Sequence, residues 1–425
     1  MEETVMAHSI WRRLVGAAAA FAAVAVLSPA LVSTPALAQK KPIKIGFSMA
    51  LTGPLGAGGK SALIAMEIWR DDVNAKGGLL GRPVEFVYYD DQTAPAKVPP
   101  LYTKLIDVDK VDLVVSSYGT NVTAPAMPVI MRKKMVFPAL FALAVNESYN
   151  YDRYFQIMPA GPNPKEDWSR GFLQIAKDKG VKTLAIVAAD AEFAQNAAAG
   201  ARKNAKTMGF EIVYDKSYPP STTDYTPIVR AIQATNPDAV YVGSYPPDSV
   251  GMVKAANELQ LKTKLFGGGM VGLQFAAIQK SLGPMLNGIV NYDFWVPAPT
   301  LNFPGIEAFL KKYEAKAAGA GVDPLGHYLP PWAYAYLEVL GQAVEATKSL
   351  DQGKLAKHMH ATTYNTIVGP VKFGKNGEWA QTRALMIQFR DIKPDDLEQF
   401  KKAGTRVVLY PKSVKSGELA FPYRE

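Results

Sequence analysis

Short apolar runs, each bounded by glycine, proline or small polar residues, recur along the chain. They read IKIGFSMAL from Ile43, VEFVYYD from Val84, VDLVVSS from Val111, MVFPAL from Met135, TLAIVAA from Thr183, EIVYDKSY from Glu211, AVYVGS from Ala239, KLFGGG from Lys264 and GIVNYDF from Gly288. Amphipathic stretches separate most of them. Strand-like runs alternating with helical patterns are the mark of βαβ units, in which parallel sheets are covered on both faces. The pattern restarts near Val181, so two sheets are expected. The final third adds an amphipathic helix, WAYAYLEVLGQAVEATKSL from Trp332, and a late hairpin, VGPVKFGKNGEWAQTRALMIQFR from Val368. Asn376-Gly377 is a strong turn signal within that hairpin. Neither piece suits a third independent domain, and both are expected to return to the first two.

Ahead of the first strand lie Arg12 and Arg13, an apolar run from Leu14 to Leu27, and the small-residue site Ala36-Leu37-Ala38. That order describes a secretory signal cleaved near Ala38, and the run is shorter than the roughly 20 residues a spanning helix needs. The arginine pair lacks a polar residue just ahead of it, which favours ordinary secretory export over the twin-arginine route. The expected location is the periplasm. Removing residues 1–38 deletes Glu2, Glu3, Arg12 and Arg13, so the formal net charge of +9 is unchanged. This mild basic bias favours small anions. No Lys/Arg run exceeds Arg132-Lys133-Lys134 and no basic stripe is interleaved with aromatics, so nucleic acid is not an expected partner. The chain has no cysteine, which excludes disulfides, thiolate metal sites and a thiol nucleophile. A mature chain of this length exceeds what one core usually supports.

Several chemistries fail on spacing. The loop GPLGAGGKS resembles a phosphate-binding loop, but a Walker A motif needs glycine five positions before the Gly-Lys pair, and Pro54 stands there. A glycine-lined rim that lets backbone approach a ligand is one reading, and a plain turn into the next helix is the other. His358 and His360 point to different faces of a helix, so neither they nor His327 suggest a metal, and all three are expected to be solvated at the surface. Asp90 and Asp91, at a strand end, are expected to cap the following element. No G-x-S-x-G elbow occurs. Neither an enzyme nor a cofactor is expected.

The order of several segments carries a family resemblance: Thr52-Gly53-Pro54, Asn74-Ala75-Lys76-Gly77-Gly78, Tyr89-Asp90-Asp91, YGTNVTAPA from Tyr118, Val240 to Gly243, and Ile367-Val368-Gly369-Pro370 leading into Phe373. From residue 42 to 395 the chain resembles the type I periplasmic solute-binding proteins of branched-chain amino acid ABC transporters. The resemblance implies an α/β fold of two Rossmann-like lobes joined by three hinge crossings, with a ligand in the cleft between them. The crossings are expected near Pro159, Pro297 and Thr366. They divide the chain into an N-terminal lobe of 42–159 plus 297–366, a C-terminal lobe of 160–296 plus 367–410, and a tail of 411–425.

The loop Tyr118-Gly119-Thr120 follows the strand VDLVVSS and ends where a helix should start, a geometry in which backbone N–H groups and the hydroxyls of Thr120 and Thr123 can hold a carboxylate. By resemblance, Thr120 stands where amino-acid binders set a hydroxyl on the ligand carboxylate. N-capping by Asn121 or Thr120 is the structural alternative. The departures from the resemblance are informative. The binders secure the ligand's ammonium with a hydroxyl or carbonyl after the fourth strand and a glutamate in the second lobe. Here those stretches read Pro138-Ala139-Leu140-Phe141 and Gly267 to Gly272, with Gly269 where the acid is expected. An ammonium taken from water without a counter-charge is costly. Leu140, Phe141, Phe193, Tyr245, Met270 and Tyr328 stand in the acid's stead, and Tyr118, Tyr245, Tyr328 or His327 could bond a ring hydroxyl. The expected ligand is an aromatic or short aliphatic carboxylate. The expected partners are that ligand and a membrane permease, with the receptor a monomer. A branched-chain amino acid receptor and a ligand-sensing module are the rival readings.

Overall fold

The computed structural model describes residues 40–424. The export signal read at residues 1–38 lies outside them. Strand β1 (Ile43–Met49) is flanked in parallel by β2 (Val84–Asp90) and β3 (Leu113–Val114). β4 (Phe137–Ala139) and β5 (Tyr154–Gln156) form a parallel pair. A bridge between Tyr118 and Leu140 ties that pair to the chain leaving β3. Every residue of β1 except Lys44 is buried, as a strand covered on both faces requires.

The second sheet has seven strands, built on β6 (Thr183–Ala189), β7 (Glu211–Tyr218), β8 (Ala239–Ser244), β9 (Leu265–Met270) and β10 (Val290–Asp293). β11 (Thr363–Thr366) and β12 (Gly369–Lys372) make a separate antiparallel hairpin. β13 (Leu385–Phe389) and β14 (Arg406–Tyr410) complete the large sheet in the order β14-β13-β10-β9-β8-β6-β7, with β13 antiparallel to both neighbours. Helices Ile306–Ala317 and Leu329–Thr347 turn back from this sheet and pack on helix Gly56–Ala75 beside β1.

The late hairpin differs from its expectation. Asn376-Gly377 does turn the chain, with Phe373 bridged to Trp379 and the Ala380 N–H donating to the Lys372 carbonyl at 2.9 Å, but the pairing of the two runs stops there. β12 pairs back onto β11, and β13 is drawn into the large sheet beside β10. The local turn signal was outweighed by the vacant edge of β10. Thr366 sits at the tight β11–β12 turn, where its hydroxyl donates to the Gly369 carbonyl at 2.7 Å. The C-terminal stretch is a working part of the large sheet's packing: Arg424 bridges Thr263, and the buried Tyr423 ring lies 5.4 Å from Phe266.

β9 shows why its sequence is LFGGGM. Gly267 and Gly268 adopt φ of +134° and +99°, and a Cβ at Gly268 would lie 2.4 Å from the Tyr241 ring. A Cβ at Gly269 would come within 2.9 Å of the Tyr241 hydroxyl and 3.0 Å of the Val242 carbonyl. The tyrosine of β8 therefore excludes side chains at 268 and 269, and the Val290 carbonyl, 2.0 Å from a Cβ at Gly267, excludes one there.

Candidate functional site

The loop after β3 is shaped by Gly119, whose φ of +107° disfavours other residues and whose missing Cβ would meet Leu55 at 2.8 Å. Helix Thr120–Thr123 begins immediately after it and carries no side-chain cap, so the capping expected of Asn121 or Thr120 is absent. The Thr120 hydroxyl oxygen instead accepts the Leu143 N–H at 2.9 Å, which joins this loop to the one after β4 and leaves the hydroxyl proton free to donate. Thr123 turns inward and donates to the Ser117 carbonyl at 3.4 Å. Between the two loops, Phe141 holds the left-handed φ of +52°, an uncommon conformation costing on the order of 1 kcal/mol. Its ring packs 5.1 Å from Phe294 and 5.2 Å from Tyr328.

From the seven-stranded sheet, Phe193 and Tyr245 stand at the starts of the helices that follow β6 and β8. Asn121, on the side of the first sheet, meets them. The Tyr245 hydroxyl donates to Asn121 Oδ1 at 2.6 Å, and the Phe193 N–H donates to the Tyr245 hydroxyl oxygen at 3.2 Å. The Phe193 ring lies 5.8 Å from Tyr245 and 5.3 Å from Trp168, both edge to face. At the far end the Tyr292 and Tyr328 hydroxyls bond each other at 2.8 Å.

These groups close around a cavity of only ≈ 30 Å³, far below the roughly 300–1,000 Å³ typical of occupied small-molecule sites, so the walls must part to admit a ligand. Tyr118, Gly119, Thr120, Phe141, Phe193, Tyr245 and Tyr328, all read from the sequence, line it together. Leu140 and Met270 do not. Leu140 is fully buried and spends its backbone on the Tyr118 bridge, and Met270 is fully buried at the end of β9, where its N–H donates to Asn291. Leu55, Met158, Trp168, Val271 and Tyr292 also line the cavity and had not been singled out. Two of them were within reach: Val271 adjoins Met270, and Tyr292 lies inside the run GIVNYDF.

Among the described residues lining the cavity there is no carboxylate and no cation. The polar side-chain groups of the lining residues are hydroxyls and the Trp168 indole N–H, which is buried without an acceptor. Burial pushes the Tyr118, Tyr292 and Tyr328 phenols above their ordinary range, so each keeps its proton at neutral pH, with one proton of the Tyr292–Tyr328 pair spent on the bond between them. The Tyr118 hydroxyl is buried without a hydrogen-bond partner, a costly state that a ligand acceptor would relieve. Three acids lie near but outside the lining: Asp293 pairs with Arg406 at 3.4 Å, Asp323 accepts the N–H groups of Ala276 at 2.7 Å and Gly326 at 2.8 Å, and Glu192, the chain neighbour of Phe193, helps raise the Tyr245 phenol through its charge.

Other sequence readings are revised by the geometry. Asp90 and Asp91 clasp the glycine loop and strand ends. Asp90 accepts the N–H groups of Leu51, Thr52 and Gln92, while the buried Asp91 accepts the Ser48 and Ser117 hydroxyls. None of the three histidines is freely solvated. His358 bonds the Tyr364 hydroxyl at 2.7 Å, His360 the Asp152 carbonyl at 2.8 Å, and His327 is buried outside the cavity lining, with Nδ1 2.9 Å from Arg406 Nη2.

Comparison with known proteins agrees with this architecture. A family model described as periplasmic binding protein matches residues 42–393. The chain belongs to the periplasmic binding protein family. This is a family of solute-binding proteins without enzymatic activity, and its location is the periplasm. The chain is 25% identical over 415 residues to Leu/Ile/Val-binding protein homolog 8 of Brucella suis biovar 1, covering 93% of this chain and 97% of the relative. Two solved structures share the fold of this periplasmic binding protein. An R. palustris ABC transporter solute-binding protein in complex with benzoate has a TM-score of 0.71 and 20% identity, with 87% of this chain and 95% of that one covered. A branched-chain amino acid transporter substrate-binding protein of Streptococcus pneumoniae in complex with isoleucine has a TM-score of 0.71 and 20% identity, with 87% and 100% covered.

Proposed function

We propose that this chain is the extracytoplasmic substrate-binding component of an ABC importer and that it captures a small aromatic or short aliphatic carboxylate by closure of its two lobes. The observation that carries this reading is the lining itself: phenol and threonine donors, aromatic walls and no acid. An α-amino acid brings an ammonium that would be stripped of water here with nothing to balance it, whereas a carboxylate meets donors at every polar position. Thr120 and Tyr118 are the donors assigned to the carboxylate, with the first-turn amides after Gly119 adding to them. Phe193 and Tyr245 close over the body of the ligand. The benzoate-bound and isoleucine-bound relatives are equally similar in fold, so the choice between their ligand classes rests on the lining. The permease is the partner of the closed form, and a monomer fits that shuttling role.

The test is a thermal-shift screen of the mature protein against aromatic acids, short-chain acids and amino acids, since a ligand of the folded state raises the melting temperature. Shifts with benzoate-type or deaminated acids and none with leucine, isoleucine or valine are expected. Stabilisation by leucine, isoleucine or valine would overturn the assignment.

A further inference from the structure

A second cavity, of ≈ 450 Å³ and open to solvent, lies where the chain leaves β10 for helix Ile306–Ala317. It is separate from the cleft but shares a wall with it. Tyr292 and Tyr328 line the cleft cavity, and their chain neighbours Asp293 and His327 face the other way, onto Arg406. His327 is 4% exposed and lines the second cavity. Arginine can only donate, so the 2.9 Å contact from Arg406 Nη2 makes His327 Nδ1 an acceptor and leaves the ring proton on Nε2. Burial, with the Arg406 and Lys401 charges adding to it, drives the imidazole well below its ordinary range, so the ring is neutral. Among the described residues Nε2–H has no hydrogen-bond acceptor. The cavity thus has in its floor a donor, on an otherwise buried side chain, that only water or a ligand can partner.

The walls around that donor are flat and apolar: the Trp295 ring lies 5.0 Å from the imidazole, with Pro297, Pro299 and Leu310 alongside. The charges at the rim are not equivalent. Glu314 is paired with Lys401 at 3.4 Å, and Glu307 accepts the Asn302 amide at 2.7 Å. Lys311 has no carboxylate partner among the described residues, and Glu307, bonded only to a neutral amide, keeps its own charge four residues away on the same helix, so the rim is balanced overall and Lys311 is the one cation a ligand could engage. We infer that this cavity is a second binding site, distinct from the cleft, for a small monoanion with a flat apolar body such as an aromatic carboxylate, with His327 Nε2–H as the buried donor, Trp295 as the stacking face and Lys311 as the charge.

Fluorine NMR of the protein labelled with 5-fluorotryptophan tests this with benzoate as the probe. The Trp295 resonance is assigned by its loss in Trp295→Phe. It should shift saturably with benzoate, should still do so in Phe193→Ala, in which the cleft is impaired, and should need about tenfold more benzoate in Lys311→Glu. Lys311 is exposed, so that variant tests charge without disturbing packing. A Trp295 resonance that stays fixed to about 10 mM benzoate, beyond ordinary millimolar affinity, overturns the site. So does a shift that disappears in Phe193→Ala or is indifferent to Lys311→Glu. Failure of the cleft reading gives a different result, a Trp168 resonance unmoved by benzoate whatever Trp295 does.

Discussion

At the residue scale the cleft is an assembly of rings whose neighbours are mostly other rings, so truncation removes both a ligand contact and its support. Phe193→Ala and Tyr245→Ala should each weaken ligand binding by about 1–3 kcal/mol, measured by calorimetric titration with whichever acid the screen selects. Unchanged affinity in both would take the aromatic pair out of the site. The residues legible in the sequence were those that end strands, because the carboxyl ends of parallel strands are where ligands meet an open α/β sheet. Trp168 was not legible: it sits one turn into helix Pro164–Asp178 and reaches the cavity only through its packing between Phe193 and Tyr292. Met270 and Val271 mark the opposite failure. Adjacent residues in extended chain point to opposite sides, and nothing in the apolar run identifies which side is the cavity.

At the element scale the alternating pattern was sufficient for the parallel strands: the central ones, such as β6 and β8, are buried on both faces and read as unbroken apolar runs, and the edge strands β2 and β7 keep enough apolar residues to be recognised. It was insufficient where pairing depends on a distant edge, as with β12 and β13. Close approach of elements supplies a sharp prediction. A Cβ at Gly59 would lie 1.8 Å from the Ala50 carbonyl oxygen, so helix Gly56–Ala75 can pack onto the end of β1 only with glycine there. Gly59→Ala should destabilise the protein by roughly 1–3 kcal/mol in urea unfolding, and an unaltered midpoint would mean that the helix yields freely. Glu338, on helix Leu329–Thr347, accepts the Ile367 N–H at 2.8 Å and so ties the helix to the β11–β12 turn. Burial raises its carboxyl to about 7, against the opposing effects of that hydrogen bond and of Lys76. A folded value above the unfolded one means that the neutral form is favoured on folding. The contribution is complete below pH about 4.5 and is lost as pH rises through 7. Wild type should therefore lose melting temperature between pH 5 and 8 relative to Glu338→Gln, and a constant gap between the two would show that Glu338 does not titrate there.

For the whole molecule, the decisive contact is the one between sheets. Asn121 reaches Tyr245 and Phe193 from the opposite side of the cleft, so it belongs to the closed form and has no counterpart once the lobes separate. Removing one such hydrogen bond is worth about 1 kcal/mol, a factor of about five in the balance between open and closed forms. Asn121→Ala should therefore enlarge the radius of gyration of the ligand-free protein in small-angle scattering and lower ligand affinity by that factor. Equal radii for the two proteins would mean that the other contacts between the two sides, among them the aromatic packing and the Asn196 bond to the Leu143 carbonyl at 3.0 Å, set the closed population without it. Two-lobed architecture was readable from the restart of the strand pattern, but this latch was not. Asn121 read as a helix cap on local grounds, and only the approach of the second lobe gives its carbonyl oxygen a different donor.

The glycines of β9 bear on how such a receptor could be reprogrammed. Tyr241 lies beneath Gly268 and Gly269 and leaves no room for even a methyl group at its ring. An engineer wishing to convert the cleft to amino acids would want a carboxylate at position 269, yet Gly269→Glu alone would collide with that tyrosine and the Val242 carbonyl. The smaller residue at 241 has to come first, at the expense of a buried ring. A change of ligand class is thus a two-step path with a weakened intermediate, and a library that varies one position at a time would miss it.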